Sequence, residues 1–593
     1  LDEVFRLIDF KFWNSLVILP TKKKKDGDVN LIRIFFFICF IFFSNTVFST
    51  PGELIRSLPV QDGGRIKPYD SFAKETLELI YGKSKYKRQV TESNSVQKSE
   101  PAYLIVLSFI LAPESWLKIP LFEVTHLDIK NKLKLDLDQK HFTGAQIFQN
   151  ENFPNLMQEL SDQRESKEKL TPYFQALQRL ENQLYVFREL SAGRLLKIIP
   201  NKNSSNWTAI AELPENIQPY FIDMSQNFAK HLGEIADNFE NKKNETLYAK
   251  AFDDSVQKFV TMATKDFPEE YSYASKAGAE VFYNDVHLFR WTYVIYLMSA
   301  LVLLFSWIKA SSQYSGPAMK TAWFLSSFGF LLHTSGFLFR IYLAERPPVT
   351  NMYETVIWMS WGAVLFSVIL EKIYKFKFIL FAGMLVGICA MIVADNVPAV
   401  LDPSIQPLEA VLRSNYWLII HVMTICISYS AFALAWCLGN MGLVYYLIGE
   451  AQHRETIQKT ATAIYRSIQI GVAFLTPGII LGGIWADYSW GRFWGWDPKE
   501  TWALIALMGY IIVLHAKLIQ WLQNFGVIVS SVLAFSLVIM AWYGVNFVLG
   551  AGLHSYGFGA GGVEYVAAAL AIQMIFILYV SVVRYSGNKN KAA

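Results

Sequence analysis

The stretch Trp490-Gly491-Arg492-Phe493-Trp494-Gly495-Trp496-Asp497-Pro498-Lys499-Glu500-Thr501-Trp502 packs four tryptophans and two glycines into 13 residues. Glycines weaken a helix interior, and a loop exposing that much indole needs something flat and apolar to cover. A porphyrin is flat and apolar. An aromatic belt at a bilayer surface is the alternative, but it requires neither the interleaved Gly491 and Gly495 nor the Asp-Pro-Lys-Glu that follows. Two histidines flank this loop in sequence: His421 near one end of an apolar run, and His554 in Gly550-Ala-Gly-Leu-His-Ser-Tyr-Gly-Phe-Gly after another. Two neutral imidazoles on opposite sides of a flat shelf suit six-coordinate haem iron. Either histidine alone reads equally well as a polar residue hydrogen-bonded at the membrane surface. His515 and His333 fall deep inside apolar runs, where an ionisable group is costly and marks function unless a neighbouring helix satisfies it.

These residues need a membrane scaffold. Of 593 residues, 53% are hydrophobic, and they gather into runs long enough to cross a bilayer. The runs fall at 31–48 and then at 291–308, 321–343, 354–370, 378–396, 416–448, 467–485, 501–523, 524–548 and 566–585. The expected class is an all-α polytopic membrane protein with one N-terminal span and about nine C-terminal spans. Residues 1–30, ending in Lys22 to Lys25, read as a cytoplasmic tail, and 31–49 as an anchor or a cleaved signal peptide. Residues 50–285 are hydrophilic, with helical spacings such as Leu177-Leu180-Leu184, and read as an exported, mainly α domain with some β. His126, His141 and His231 in it are expected to be solvated surface residues. Residues 286–593 form the membrane domain. Lys and Arg concentrate in the connections at 309–320, 371–377 and 450–466 and in the tail after Arg584, which places those on the cytoplasmic side and Pro347, Pro403, Trp494 and His554 outside.

Several classes are excluded. Cys39, Cys389, Cys426 and Cys437 all lie in apolar runs without CxxC spacing, so neither a disulfide scaffold nor a zinc module is expected. Without a CxxCH the chain is not itself a c-type cytochrome. The diffuse net charge of +4 gives no reason to expect nucleic acid.

The stretch from Trp490 to Trp502, with Leu504-Ile505 after it, closely resembles the tryptophan-rich WWD region of the CcsA (ResC) cytochrome c biogenesis proteins, the haem-handling component of the System II synthase. The resemblance extends to Asn415-Tyr-Trp-Leu-Ile-Ile-His421-Val, Leu514-His515-Ala-Lys517 and Gly552-Leu-His554-Ser-Tyr-Gly557, and less distinctively to Arg340 to Glu354. It implies a periplasm-facing site in the bacterial cytoplasmic membrane that presents haem b for thioether attachment to the CxxCH of apocytochrome c. His421 and His554 would be its axial ligands, over a platform of Trp490, Trp494, Trp496 and Trp502 with Gly491, Gly495 and Asp497. Asp497, Lys499 and Glu500 are candidates to shape the loop or assist proton transfer, Asp497 reading equally as a helix cap before Pro498, and Arg340 and Arg492 are candidate propionate contacts. His515 would be one of two ligands to haem within the membrane. The other is expected from a CcsB-like (ResB) subunit or, failing that, from His333, because the single span before the exported domain has no histidine. A thiol-reducing partner is also implied. The rival reading is a haem or small-molecule exporter without lyase chemistry.

Overall fold

The computed structural model describes residues 52–89, 97–166, 170–201, 204–237, 242–308, 316–397, 401–406, 416–549 and 562–592. The proposed anchor at 31–49, its basic flank and His554 lie outside the described residues. The chain divides into two compact units, Leu1–Val286 and His287–Ala593.

The first unit is helical with four two-stranded antiparallel pairs. Strand β1 (Pro59–Asp62) pairs with β2 (Arg65–Pro68). Gly63 and Gly64 between them both take positive φ, as a tight hairpin turn of this hand demands. Helix α1 (Tyr69–Tyr81) follows and stops at Gly82, in the left-handed conformation with its N–H on the Glu78 carbonyl. Helix α2 (Pro172–Ser191) buries Leu177, Leu180, Leu184 and Phe187, one face at helical spacing. Helices α3 (Gln218–Asp237), α4 (Lys242–Asp266) and α5 (Ala274–Val286) complete the unit. Its two ends are tied by charge. Arg56 pairs with Asp70 at 3.0 Å and Asp285 at 2.6 Å, and Arg65 forks onto Glu280 at 2.8 and 2.9 Å. His231 departs from the surface position expected of it. It is buried, stacked on Phe252, and lies under Gly52, where any Cβ would come within 2.8 Å of its Nε2. His141 likewise stacks on Tyr81 and reaches the Tyr81 carbonyl at 2.9 Å.

In the second unit the helices are α6 (Leu288–Ile308), α7 (Pro317–Ala344), α8 (Met352–Tyr374), α9 (Phe378–Asn396), α10 (Tyr416–Gly449), α11 (Arg454–Trp490), α12 (Pro498–Leu518) and α13 (Asn524–Ile539). A π-helical segment, Met540–Leu549, continues α13, and α14 (Val563–Ala592) closes the chain. Among the described residues, nine helices are long and apolar enough to cross a membrane. The connection between α7 and α8 and the turn between α11 and α12 share one end of the bundle, where residues of both line a single cleft. The α10–α11 seam is an extensive contact, built on glycines of α11 that let α10 approach. A Cβ at Gly471 would strike Phe432, one at Gly478 would meet Ile425 at 2.9 Å, and one at Gly482 would meet His421 at 2.5 Å. The three pairs keep one antiparallel register.

Candidate functional site: a half-open cleft in the membrane unit

The turn entering α12 is organised by its own carboxylates. Asp497 and Glu500 form a reciprocal capping box: Asp497 Oδ1 accepts the Lys499 N–H at 3.1 Å, and Glu500 Oε2 accepts the N–H groups of Asp497 at 3.2 Å and Gly495 at 2.8 Å. Asp497 is buried and placed as the cap. Gly491 ends α11 with φ 69°, and Gly495 leaves the space that the Arg492 guanidinium fills, so both glycines shape the loop backbone. Arg492 lies over the Trp490 ring at 5.9 Å and 3.8 Å from Glu500.

The loop closes one side of an open cleft with a cavity volume of about 190 Å³. Its other walls are the 346–352 connection with the start of α8, the first four turns of α10, the last turns of α11, the first turns of α12, and the π-helical segment. The walls are mainly aliphatic and aromatic. π-helical turns recur at functional sites, and this one turns Trp542 and Asn546 into the wall, with Trp542 Nε1 donating to Thr355 at 3.3 Å.

Of the expected site residues, His421 and Trp494 line the cleft. His421 Nδ1 lies 2.7 Å from the Gly478 carbonyl, which puts the proton on Nδ1 and the lone pair on Nε2. Three atoms of its ring, Cε1, Nδ1 and Nε2, lie 2.5 to 3.1 Å from where a Cβ on Gly482 would stand. The imidazole is therefore seated in a recess of α11, held by one glycine and oriented by another. Trp490, Trp496 and Trp502 are not among the lining residues. Trp490 packs its edge on the buried Trp485, which does line the cleft, at 4.6 Å. Trp496 is 70% exposed and crosses Trp494 at 5.8 Å, with its backbone at φ 56°. That conformation is strained for a bulky residue and is a kind of strain that clusters at functional sites.

His515 lies three residues from the far end of α12, its Nδ1 2.9 Å from the Ile511 carbonyl. Its side chain is on the outside of the unit, in a stripe with the exposed Ile505, Met508 and Ile512. His333 is enclosed: it is fully buried, with Nδ1 3.3 Å from the Tyr296 hydroxyl, between Phe337 and Phe289. It is not among the cleft residues.

Arg340 has no free face for a ligand. It is buried with Glu354 at 2.7 Å and donates to the carbonyls of Pro403 and Ser404 at 2.9 and 3.1 Å. Glu354 in turn accepts from the Thr350 N–H and hydroxyl, and Asn351 caps α8. This cluster pins the 346–352 wall of the cleft. Removing one partner of such a buried pair costs about 3–5 kcal/mol. Sequence reading missed Arg346 and Gly482 at the cleft, and Lys499 is there as one of the loop residues it named. The glycine recess was detectable, because Gly471, Gly478 and Gly482 recur at spacings of seven and four.

Residues 349–554 match the model of the family described as cytochrome C assembly protein. The chain is 31% identical over 294 residues to the cytochrome c biogenesis protein CcsA of Parasynechococcus marenigrum, covering 45% of this chain and 94% of that protein. With CcsA of Prochlorococcus marinus it shares 29% over 300 residues, 44% of this chain and 91% of the relative. With Protein NrfI of Wolinella succinogenes it shares 28% over 527 residues. That alignment covers 86% of this chain, more than the membrane unit alone contains, so the similarity reaches into the first unit. The chain spans about half of NrfI, 54% of its length. With the helices, the cleft and these relatives together, the chain is a multi-pass membrane protein that belongs to the CcsA family of cytochrome c biogenesis proteins.

Proposed function

We propose that the cleft holds haem b at the outer face of the bacterial cytoplasmic membrane and presents it for covalent attachment to apocytochrome c, making the chain the haem-handling part of a cytochrome c haem lyase. The observation that carries this reading is His421, seated on Gly482 with its Nδ1–H on the Gly478 carbonyl, in an apolar cleft that Trp494 closes. A carbonyl on Nδ1 is the usual outer-shell support of a metal-binding imidazole. His554 is proposed as the second axial ligand. It lies eight residues beyond the cleft residue Asn546, within reach of up to about 3.3–3.6 Å per residue.

Thioether formation adds a cysteine S–H across a vinyl C=C: the sulfur bonds one carbon, the proton goes to the other, and nothing leaves. The chain's own share is orientation. The recess fixes the imidazole, the apolar walls exclude water, and the Asp497–Glu500 box fixes the loop that bears Trp494. Holding both reactants in place lowers the barrier by several kcal/mol. Trp496, strained and exposed beside Trp494, fits the cleft mouth where an incoming CxxCH segment would arrive. His515 is proposed as one ligand of haem in transit through the membrane. Its place on the outer side of α12 fits a second histidine supplied by a CcsB-like subunit, and a separate thiol-reducing partner would keep the client cysteines reduced.

The test is co-expression of the chain and its CcsB-like partner with an apocytochrome, followed by an absorption spectrum of the purified complex and a count of haem retained by the cytochrome after denaturation. Low-spin haem in the complex and covalent haem on the client are expected. Haem in the complex without covalent product would favour an exporter, and a complex that purifies without haem under these conditions would end the reading.

A further inference from the structure

Lys499 stands in the first turn of α12 and lines the cleft. Its position is unfavourable on two counts. A cation at a helix N-terminus opposes the helix dipole, and an ammonium set among apolar walls costs several kcal/mol unless it is paired. Its ammonium, with three donors to satisfy, makes one hydrogen bond among the described residues, to the neutral Asn546 Oδ1 at 3.3 Å. Of the nearby carboxylates, Asp497 attracts the ammonium without pairing with it. Asp497 Oδ1 accepts the backbone N–H of Lys499 itself, and Glu500 accepts from Gly495 and Asp497 and faces Arg492. Lys499 makes no ion pair with another described residue. Arg340 and Arg492, the cations that sequence reading pointed to, are both engaged with glutamates.

We propose that Lys499, seated by Asn546, binds a carboxylate of the molecule held in the cleft. This rests on the haem reading, under which the carboxylate is a propionate. An anion at Lys499 answers both costs at once, since it pairs the ammonium and suits the helix terminus. It also gives the macrocycle a direction: the propionate edge lies against the wall formed by α12 and the π-helical segment, and the vinyl edge is turned away from it.

The experiment compares two probes on the detergent-solubilised complex stripped of haem: haem, and haem dimethyl ester, which has the same ring and iron but no carboxylates. Wild type should bind haem about tenfold or more tightly than the ester, the range of one buried charge-assisted bond. Lys499→Met should weaken haem and leave the ester unchanged, abolishing the preference, and Lys499→Arg should restore most of it. Because each protein is its own control, misfolding would weaken both probes alike, and it would be caught by the ester. An unchanged preference in Lys499→Met overturns the assignment while leaving the haem reading intact. Failure of wild type to bind either probe overturns both.

Discussion

Two helix seams of the membrane unit use the same device to different ends. Between α6 and α7, Gly329 and Gly336, seven residues apart, admit the rings of Tyr296 and Phe289, whose atoms lie 2.6 and 2.8 Å from where a Cβ would stand. Those rings, with Phe337, seal His333 inside. Between α10 and α11, Gly478 and Gly482 admit Ile425 and then the His421 imidazole itself, at the edge of a cleft. The glycines bring the helices together in both places. Whether the histidine becomes core or ligand depends on what else enters the recess: three aromatic rings close one, and an open wall leaves the other accessible. A histidine in an apolar helix is therefore uninformative until its neighbours across the seam are known.

The largest expected difference between the seams lies in His421→Gly. It should remove one axial ligand and leave a cavity the size of an imidazole. The low-spin spectrum of the reduced complex should be lost along with most of the cytochrome yield, and added imidazole should restore part of both. The same treatment should do nothing for Trp494→Ala, which removes wall and not ligand. An unchanged spectrum in His421→Gly would make His421 another core histidine and erase the contrast.

Gly482→Ala should act less strongly, through the same ring. A methyl 2.5 to 3.1 Å from three ring atoms forces the imidazole to tilt off the Gly478 carbonyl. Haem retention should fall several-fold without abolishing binding. The comparison that isolates the mechanism is the double variant. Once His421 is Gly, Gly482→Ala should cost nothing further in haem affinity, because the atoms it displaces are gone, and residues in contact are not additive. Equal losses in both backgrounds would mean that the methyl disturbs the α10–α11 packing at large, and the positioning role would fall.

Much of this architecture was legible in the sequence. The nine spans follow from run length and apolarity, and the tryptophan loop follows from its composition. Helix ends were less legible. α11 begins at Arg454, well before the apolar run at 467, because a polar segment carries the helix on. α12 begins at Pro498 because Asp497 and Glu500 cap it there, which leaves His515 near its far end and not midway. Which tryptophan faces the cleft was beyond reach, since it depends on a left-handed backbone at Trp496 that no composition announces. Lys499 reads in sequence as a loop-shaping or proton-transfer residue, and only the fold shows its ammonium turned into an apolar wall. Arg340 looked available because its partners, Glu354 and the 403–404 carbonyls, are brought to it by tertiary structure.

The smallest expected effect on haem belongs to His333, and it is the test of the sealed seam. His333→Phe keeps an aromatic ring between Phe289 and Phe337 but strips the Tyr296 hydroxyl of its partner at 3.3 Å. A buried hydroxyl left in that state costs about 1–3 kcal/mol, so the midpoint of thermal unfolding in detergent should fall. The haem spectrum, haem content and imidazole response should all match wild type, because no atom of His333 borders the cleft. His333→Gln, which can still meet the Tyr296 hydroxyl, should recover part of the lost stability. If His333→Phe instead emptied the complex of haem while its unfolding midpoint stayed at the wild-type value, His333 would be the intramembrane ligand after all. The second histidine near His515 would then not have to come from another subunit, and the glycine seams would differ in location but not in purpose.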